Sequence, residues 1–276
     1  MPTDNAYAKI NLTLDIVGKR HDGYHLLETV MQTVSLCDTV SVEPCNGIEV
    51  SCSAPDVPTG PENTCHKAAR LFFEHTMIAG GAKIHIEKRI PSQAGLGGGS
   101  SDAATVIKLL NLIYGVCLSD GELERIAAKV GADAAFFIRG GAAVCRGIGE
   151  NIEPLPKLTQ REVLLVKPDF GVSTPEAYRS FDEKGTPSQR GTAGFLKALK
   201  SGGNPYLELS NDLEKSADDQ RIEKIRGELI GLGAEASLMS GSGSCVFGLF
   251  EKKETAETVK LALMGKYPFI CLCGTI

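Results

Sequence analysis

A lysine and an asparagine two residues apart, a glycine-serine loop, and one aspartate inside an apolar run are the parts of this 276-residue chain best suited to chemistry. The loop is Pro91-Ser92-Gln93-Ala94-Gly95-Leu96-Gly97-Gly98-Gly99-Ser100-Ser101, followed by Asp102. Glycines remove the Cβ atoms that keep a backbone away from an oxyanion, and they tolerate positive φ. Behind the loop, Ala103, Ala104, Val106, Ile107, Leu110 and Ile113 recur at helical spacing up to Gly115. The first N–H groups of such a helix lack intrahelical partners and carry the positive end of its dipole, so a phosphate fits there. A flexible connector ahead of a Ser-capped helix is the alternative reading. The coincidence of glycines, serines and a well-formed helix favours the anion site. It is neither a Walker loop, since no lysine follows the glycines, nor a dinucleotide fingerprint. Counted from Gly95 or Gly97, the last glycine slot of that fingerprint holds Ser100 or Asp102.

Lys9 and Asn11 belong to an alternating stretch, residues 7–18, in which Ile10, Leu12, Leu14 and Ile16 share one face. Lys9, Asn11, Thr13 and Asp15 share the other, either aimed together at a ligand or lying on a solvated edge. Tyr24 and His25 follow an Asp22-Gly23 turn, where they can stack on and hydrogen-bond a planar base or simply pack a loop. Asp133 sits in Gly131-Ala132-Asp133-Ala134-Ala135-Phe136-Phe137-Ile138. A carboxylate there is expensive unless it caps the next helix, pairs with a cation or works in a site. His21 and His25 have a metal-like spacing, but a turn separates them and no third ligand is evident, so no metal site is expected.

The elements that must position these residues mix strands and helices without regular alternation, which predicts an α+β fold. Residues 83–88 read as a strand, residues 34–52 as short strands with turns at Asp38 and Asn46-Gly47. Pro61-Glu62-Asn63-Thr64 precedes a helix from Cys65 that ends near Gly80-Gly81. Ser119 with Glu122 forms a capping-box pattern for a helix reaching Val130. Residues 161–168 predict a buried strand, 173–181 a short helix starting at Thr174-Pro175, and 182–204 a polar, glycine-rich surface loop. Helices over 206–217 and 219–230 follow. Met239-Ser240-Gly241-Ser242-Gly243-Ser244-Cys245 joins two strands as a hairpin, before a helix at 254–265 and a strand at 268–274. The length favours two domains, 1–154 and 155–276, with Pro154 and Pro156 at the boundary.

The net charge of −5, with acidic and basic residues interspersed, argues against an extended nucleic-acid or anionic-membrane surface. No apolar run approaches the roughly 20 residues of a membrane span, and the N-terminus lacks a leader pattern, so a cytoplasmic protein is expected. Nine cysteines, an odd number with no C-x-x-C pair, read as reduced thiols.

Taken together, the chain resembles the GHMP small-molecule kinases. Ala8-Lys9-Ile10-Asn11-Leu12, the loop 91–101 and Ser240-Gly241-Ser242-Gly243-Ser244 match that superfamily's three motifs in order. Gly23-Tyr24-His25, Gly131-Ala132-Asp133, Thr174-Pro175 and Asn211-Asp212-Leu213-Glu214 narrow the resemblance to the branch that acts on a methylerythritol unit carried on cytidine diphosphate. The resemblance spans nearly the whole chain. It implies a two-domain fold with the active site in the cleft between the domains. The implied reaction is ATP-dependent phosphorylation of the 2-hydroxyl of that unit, in non-mevalonate isoprenoid synthesis. Carried over by position, Asp133 is the general base and Lys9 its charged partner. The loop Pro91 to Ser101 holds ATP phosphates, with Asn63 and Lys88 near the nucleotide. Tyr24 and His25 match the cytosine-recognition pair, Tyr178 the second aromatic, and Asn11 and Thr174 the substrate pocket. Mg2+ accompanies ATP, with no dedicated metal cluster. The family's usual Val-Pro after the Asp motif is Ala134-Ala135 here. A monomer or weak homodimer binding only small molecules is expected. The competing expectations are a homoserine- or mevalonate-type kinase, which lacks the Tyr24-His25 element, and a non-catalytic nucleotide sensor on the same fold.

Overall fold

The computed structural model describes residues 1–184, 191–217 and 219–276. Its chain divides into two compact units that interleave along the sequence. The first comprises residues 1–8, 36–92 and 97–140, and the second residues 9–35, 93–96 and 141–276. Strands β1 (Thr3–Lys19) and β2 (His25–Pro44) contribute residues to both.

In the first unit the end of β2 is joined by β3 (Ile48–Cys52), α1 (Thr64–Thr76), β4 (Ala82–Glu87), α2 (Gly98–Ile113), α3 (Asp120–Val130) and the single turn α4 (Phe136–Arg139). Strand β4 runs antiparallel to β2, from Thr39↔Glu87 to Pro44↔Ala82, and parallel to β3. Val40, Val42, Ile84 and Ile86 alternate onto the buried face. Helix α1 packs on α2 and α3, burying Phe72, Ala103, Ile107 and Leu110. Burial of each large apolar side chain contributes roughly 1.5–3 kcal/mol. The capping box at Ser119 and Glu122 forms as the sequence predicts. Helix α1 ends sooner than the glycine pair suggests. Met77 takes the left-handed conformation at φ 57° and donates its N–H to Phe73 O at 2.9 Å. The expected turn at Asp38 is absent, because β2 runs straight through it. Asp38 is fully buried there and accepts from the backbone N–H of Arg89 and Ile90 and from Lys88.

The second unit adds β5 (Ala142–Gly147), β6 (Asn151–Pro154), β7 (Glu162–Lys167), α5 (Thr174–Lys184) and α6 (Gly191–Lys200). A short 3-10 turn over Pro205–Glu208 leads to β8 (Ser210–Asn211), α7 (Asp212–Ala217), α8 (Gln220–Gly231), β9 (Ala236–Met239), β10 (Val246–Phe250), α9 (Lys253–Leu263) and β11 (Phe269–Gly274). Strand β5 pairs with the start of β2, and β8 lies parallel to β1 at Thr13↔Ser210. A four-stranded antiparallel sheet, β11-β7-β10-β9, packs Leu164, Val166, Val246 and Phe250 against Ile225 and Leu229 of α8 and Val259 and Leu263 of α9.

Two expectations change in this unit. The stretch 182–204 is mostly helix over its described residues, since α5 reaches Lys184 and 191–200 is helical; 201–204 is turn, and 185–190 lie outside the described residues. Thr192 and Phe195 are completely buried, which anchors α6 despite its glycines and lysines. The helix expected over 206–217 is instead a 3-10 turn, a two-residue strand and the short α7.

Candidate active site

The polar face of β1 is not a solvated edge. Lys9, Asn11, Thr13 and Asp15 are each 3% exposed or less, so every polar group must find a partner inside. Lys9 Nζ donates to Asn11 Oδ1 at 2.5 Å and to Gly95 O at 2.9 Å. Asn11 Nδ2 donates to Thr29 Oγ1 at 2.9 Å. Thr13 and Thr192 share a hydroxyl–hydroxyl bond of 2.7 Å, and Asp15 accepts the Thr192 N–H at 2.8 Å.

Residues 93–96 of the glycine loop lie in the second unit, where all four carbonyls accept hydrogen bonds. Gln93 O and Ala94 O take the N–H groups of Ser244 and Cys245. Gly95 O takes Lys9 Nζ and the Ser240 hydroxyl, both at 2.9 Å, and Leu96 O takes the Lys9 N–H at 3.0 Å. With its acceptors engaged by the protein, the loop turns less negative charge toward an anion. Gly95 has φ +72°, and a Cβ there would lie 1.9 Å from Ser240 O. Only glycine fits.

From Gly97 the loop belongs to the first unit. Gly97 is the N-cap of the 16-residue α2, at φ 72°, and supplies no side-chain cap hydrogen bond. Such an N-terminus suits a phosphate group, since first-turn N–H groups lack intrahelical partners and lie at the positive end of the dipole. Thr64 Oγ1, at the start of α1, donates to Gly99 O at 2.8 Å. Asn63 beside it is the α1 N-cap: it accepts the Cys65 N–H at 2.8 Å and donates to Pro58 O at 2.6 Å. Ser100 and Ser101 stand in the first turn of α2.

Lys88 closes the floor of this region in the first unit. Its ammonium is paired with Asp38 and, at 2.8 Å, with Asp102 of α2. A Cβ on Gly98 would come within 3.2 Å of Lys88 Nζ. Burial pushes the Asp102 carboxyl up to about 7, against the pull of the Lys88 ammonium. Burial lowers Lys88, but the two carboxylates outweigh it and hold the ammonium above the usual lysine value. Sequence reasoning missed Asp38 and Asp102 as members of this cluster. Their signal lies only in their contact with Lys88, which is distant in sequence.

Asp133 lies half-buried in the turn between α3 and α4. The N-cap position of α4 is Ala135, two residues beyond Asp133. Ala135 has φ −62°, the value a proline ring imposes, so this backbone reaches the family's angle without the ring.

In the second unit, His25 stacks on Tyr178 of α5, with ring centroids 4.8 Å apart and planes at 17°. His25 Nε2 lies 2.7 Å from Asp182 Oδ1, and Lys19 Nζ 2.6 Å from Asp182 Oδ2. Lys19 and His25 together hold the Asp182 carboxyl below the usual carboxylate value. Lys19, His25 and Asp182, with Phe181, Glu28 and Arg146, border a cavity of about 800 Å3. Tyr24 is exposed, and the ring lying on Tyr178 is His25. Thr174, at the start of α5, shares a 3.2 Å hydroxyl bond with Ser242 in the second glycine-serine turn. Asp182 was not singled out by sequence, because it falls in a stretch that reads as polar loop. Among the described residues no group of three or more His, Cys, Asp or Glu side chains is placed to hold a metal ion.

Residues 63–141 match the family model described as GHMP kinases N terminal domain, and residues 207–268 match GHMP kinases C terminal. The chain is 40% identical to a 4-diphosphocytidyl-2-C-methyl-D-erythritol kinase of Clostridium botulinum (strain Alaska E43 / Type E3), over 98% of this chain and 99% of the relative. Among solved structures, a 4-(cytidine 5'-diphospho)-2C-methyl-D-erythritol kinase superposes with a TM-score of 0.82 at 36% identity, covering 99% of both chains. The mevalonate kinase of L. major, in complex with R-mevalonate, superposes with a TM-score of 0.76 at 17% identity over 100% of this chain and 96% of its own, a likeness of fold alone. The chain belongs to the GHMP kinases, which are ATP-dependent small-molecule kinases. Within them its family is that of the 4-diphosphocytidyl-2-C-methyl-D-erythritol kinases.

Proposed function

We propose that this chain transfers a phosphoryl group from ATP to the 2-hydroxyl of 4-diphosphocytidyl-2-C-methyl-D-erythritol, giving the 2-phosphate in non-mevalonate isoprenoid precursor synthesis. The observation that carries this reading is 40% identity, sustained over 98% of the chain, to a kinase named for that substrate. Phosphoryl transfer asks for alignment and charge stabilisation more than for covalent chemistry, and the residues described supply both.

The loop 91–101 and the N-terminus of α2 hold the phosphates of ATP, with Asn63 and Lys88 toward the rest of the nucleotide. ATP with Mg2+ supplies the phosphoryl group and screens its charge. Asp133 accepts the proton of the attacking hydroxyl, a task worth about 10²–10⁴ in rate. Lys9 neutralises charge that develops as the bond forms, while its bonds to Asn11 and Gly95 keep the ammonium fixed in direction. His25, with Tyr24 and Tyr178, recognises the cytosine beside the cavity of the second unit. Asn11 and Thr174 bound the alcohol.

In sequence the two family domains divide as 1–154 and 155–276, which leaves one family match, 63–141 and 207–268, on each side. Among the described residues no helix is long and apolar enough to cross a membrane. The enzyme works in the cytoplasm, as a monomer or weak homodimer on small molecules. Steady-state assay of the purified chain with ATP, Mg2+ and the cytidine-linked alcohol tests the reading. ADP release coupled to formation of a 2-phosphate supports it, and no ADP with this alcohol refutes it.

A further inference from the structure

The Asn211-Asp212-Leu213-Glu214 motif has no part in the chemistry above, yet it grips the turn between β9 and β10 from beneath. Asn211 is 1% exposed, and its whole amide is engaged. Nδ2 donates to Met239 O at 2.9 Å and to Gly241 O at 2.8 Å, while Oδ1 accepts the Leu213 N–H at 3.0 Å. The two carbonyls it holds belong to the residues on either side of Ser240. Glu214 adds a second grip, accepting the Met239 N–H at 2.5 Å while Arg226 pairs with its carboxylate.

Ser240 is fully buried between these holds. Its hydroxyl donates to Gly95 O at 2.9 Å and accepts the Asn11 N–H at 3.3 Å. An amide that fixes the carbonyls before and after a residue sets both its position and its rotation. The contact is also unforgiving, since a Cβ on Gly95 would lie 1.9 Å from Ser240 O. At such packing, a shift of the turn cannot be absorbed and must move the loop.

We propose that Asn211 is a positioning residue for nucleotide binding: it aims the Ser240 hydroxyl at the Gly95 carbonyl and so sets the shape of the glycine loop. This rests on the reading of residues 91–101 as the loop that holds ATP. Asparagine suits the place because both partners are carbonyls and need donors. Aspartate would set an acceptor against two acceptors.

The test compares wild type, Asn211→Ala, Ser240→Ala, their double variant and Gly97→Ala by KM for ATP, KM for the alcohol and thermal unfolding midpoint. Removing either hold raises KM for ATP about tenfold, the scale of one lost hydrogen bond, and raises KM for the alcohol by less, through the Asn11 N–H that Ser240 also holds. Because both act on one contact, the double variant is no worse than the worse single variant. An unchanged KM for ATP in Ser240→Ala, an equal rise of both KM values, or multiplying effects in the double variant overturns the proposal. If Asn211→Ala does not fold, Ser240→Ala decides alone by the first two of these outcomes. Gly97→Ala separates the two readings. If it weakens ATP binding while the other variants do not, the positioning role fails and the loop assignment stands. If it leaves ATP binding unchanged, the loop assignment fails and takes the proposal with it.

Discussion

Lys9 donates from Nζ to the backbone carbonyl of Gly95 at 2.9 Å, so the side chain assigned to the reacting centre also secures the glycine loop. The same ammonium reaches Asn11 at 2.5 Å. A substitution there acts on two parts of the site at once.

Lys9→Ala is expected to lower kcat by about 10²–10³, the cost of removing one preorganised stabiliser of developing charge. It also raises KM for ATP, because Gly95 O then loses the Lys9 bond and is left, among the described residues, with its bond from Ser240. Steady-state kinetics with each substrate varied in turn separate the two effects. A loss of kcat with unchanged KM for ATP would show that the Gly95 contact does not matter to the nucleotide.

Asp133→Ala removes the proposed base and leaves the proposed binding groups in place. The expected outcome is a fall in kcat of about 10²–10⁴ with little change in either KM. Turnover near wild type would remove Asp133 from the mechanism.

Tyr178→Ala takes away the ring against which His25 stacks. Stacking on a base is worth about 1–3 kcal/mol, so KM for the cytidine-linked alcohol rises roughly 5- to 150-fold while KM for ATP stays near wild type. Binding of cytidine diphosphate alone, followed by calorimetry, gives the same comparison without catalysis. Retained affinity in the variant counts against the aromatic assignment.

The Lys88 cluster predicts a pH dependence of stability. Burial raises the Asp102 carboxyl from its ordinary 3.8 to about 7. A group that holds its proton more tightly when folded contributes stability at low pH, and that contribution is lost as pH rises through its folded pKa. Stability therefore declines between about pH 4 and pH 7 by the Asp102 contribution. Asp102→Asn, which cannot titrate, flattens that stretch of the curve in urea unfolding. An identical slope in the variant would assign the titration elsewhere.

Much of this architecture was legible in the sequence because its determinants are local. Alternation marked β1, the Ser119–Glu122 pair marked the start of α3, and the glycines followed by helical periodicity marked the loop and α2. What escaped depends on distant partners. Alternation along β1 puts Lys9 and Asn11 on one face but does not reveal whether that face meets water or protein. Asp38 reads as a turn residue until Lys88 and two backbone N–H groups, far along the chain, are placed around it. Helix α6 reads as loop because it lies within a longer polar, glycine-containing stretch, although Thr192 and Phe195 pin it to the core. Asn211 carries no local sign that its amide will span the carbonyls flanking Ser240.

The central claim is the identity of the alcohol. Purified chain, ATP and Mg2+ are incubated separately with 4-diphosphocytidyl-2-C-methyl-D-erythritol, mevalonate and homoserine, following ADP release and the phosphorylated product by 31P NMR. The account predicts ADP and the 2-phosphate in equal amounts from the cytidine-linked alcohol and no ADP above background from the other two. A higher kcat/KM for mevalonate or homoserine, or no ADP with any of the three, would contradict it.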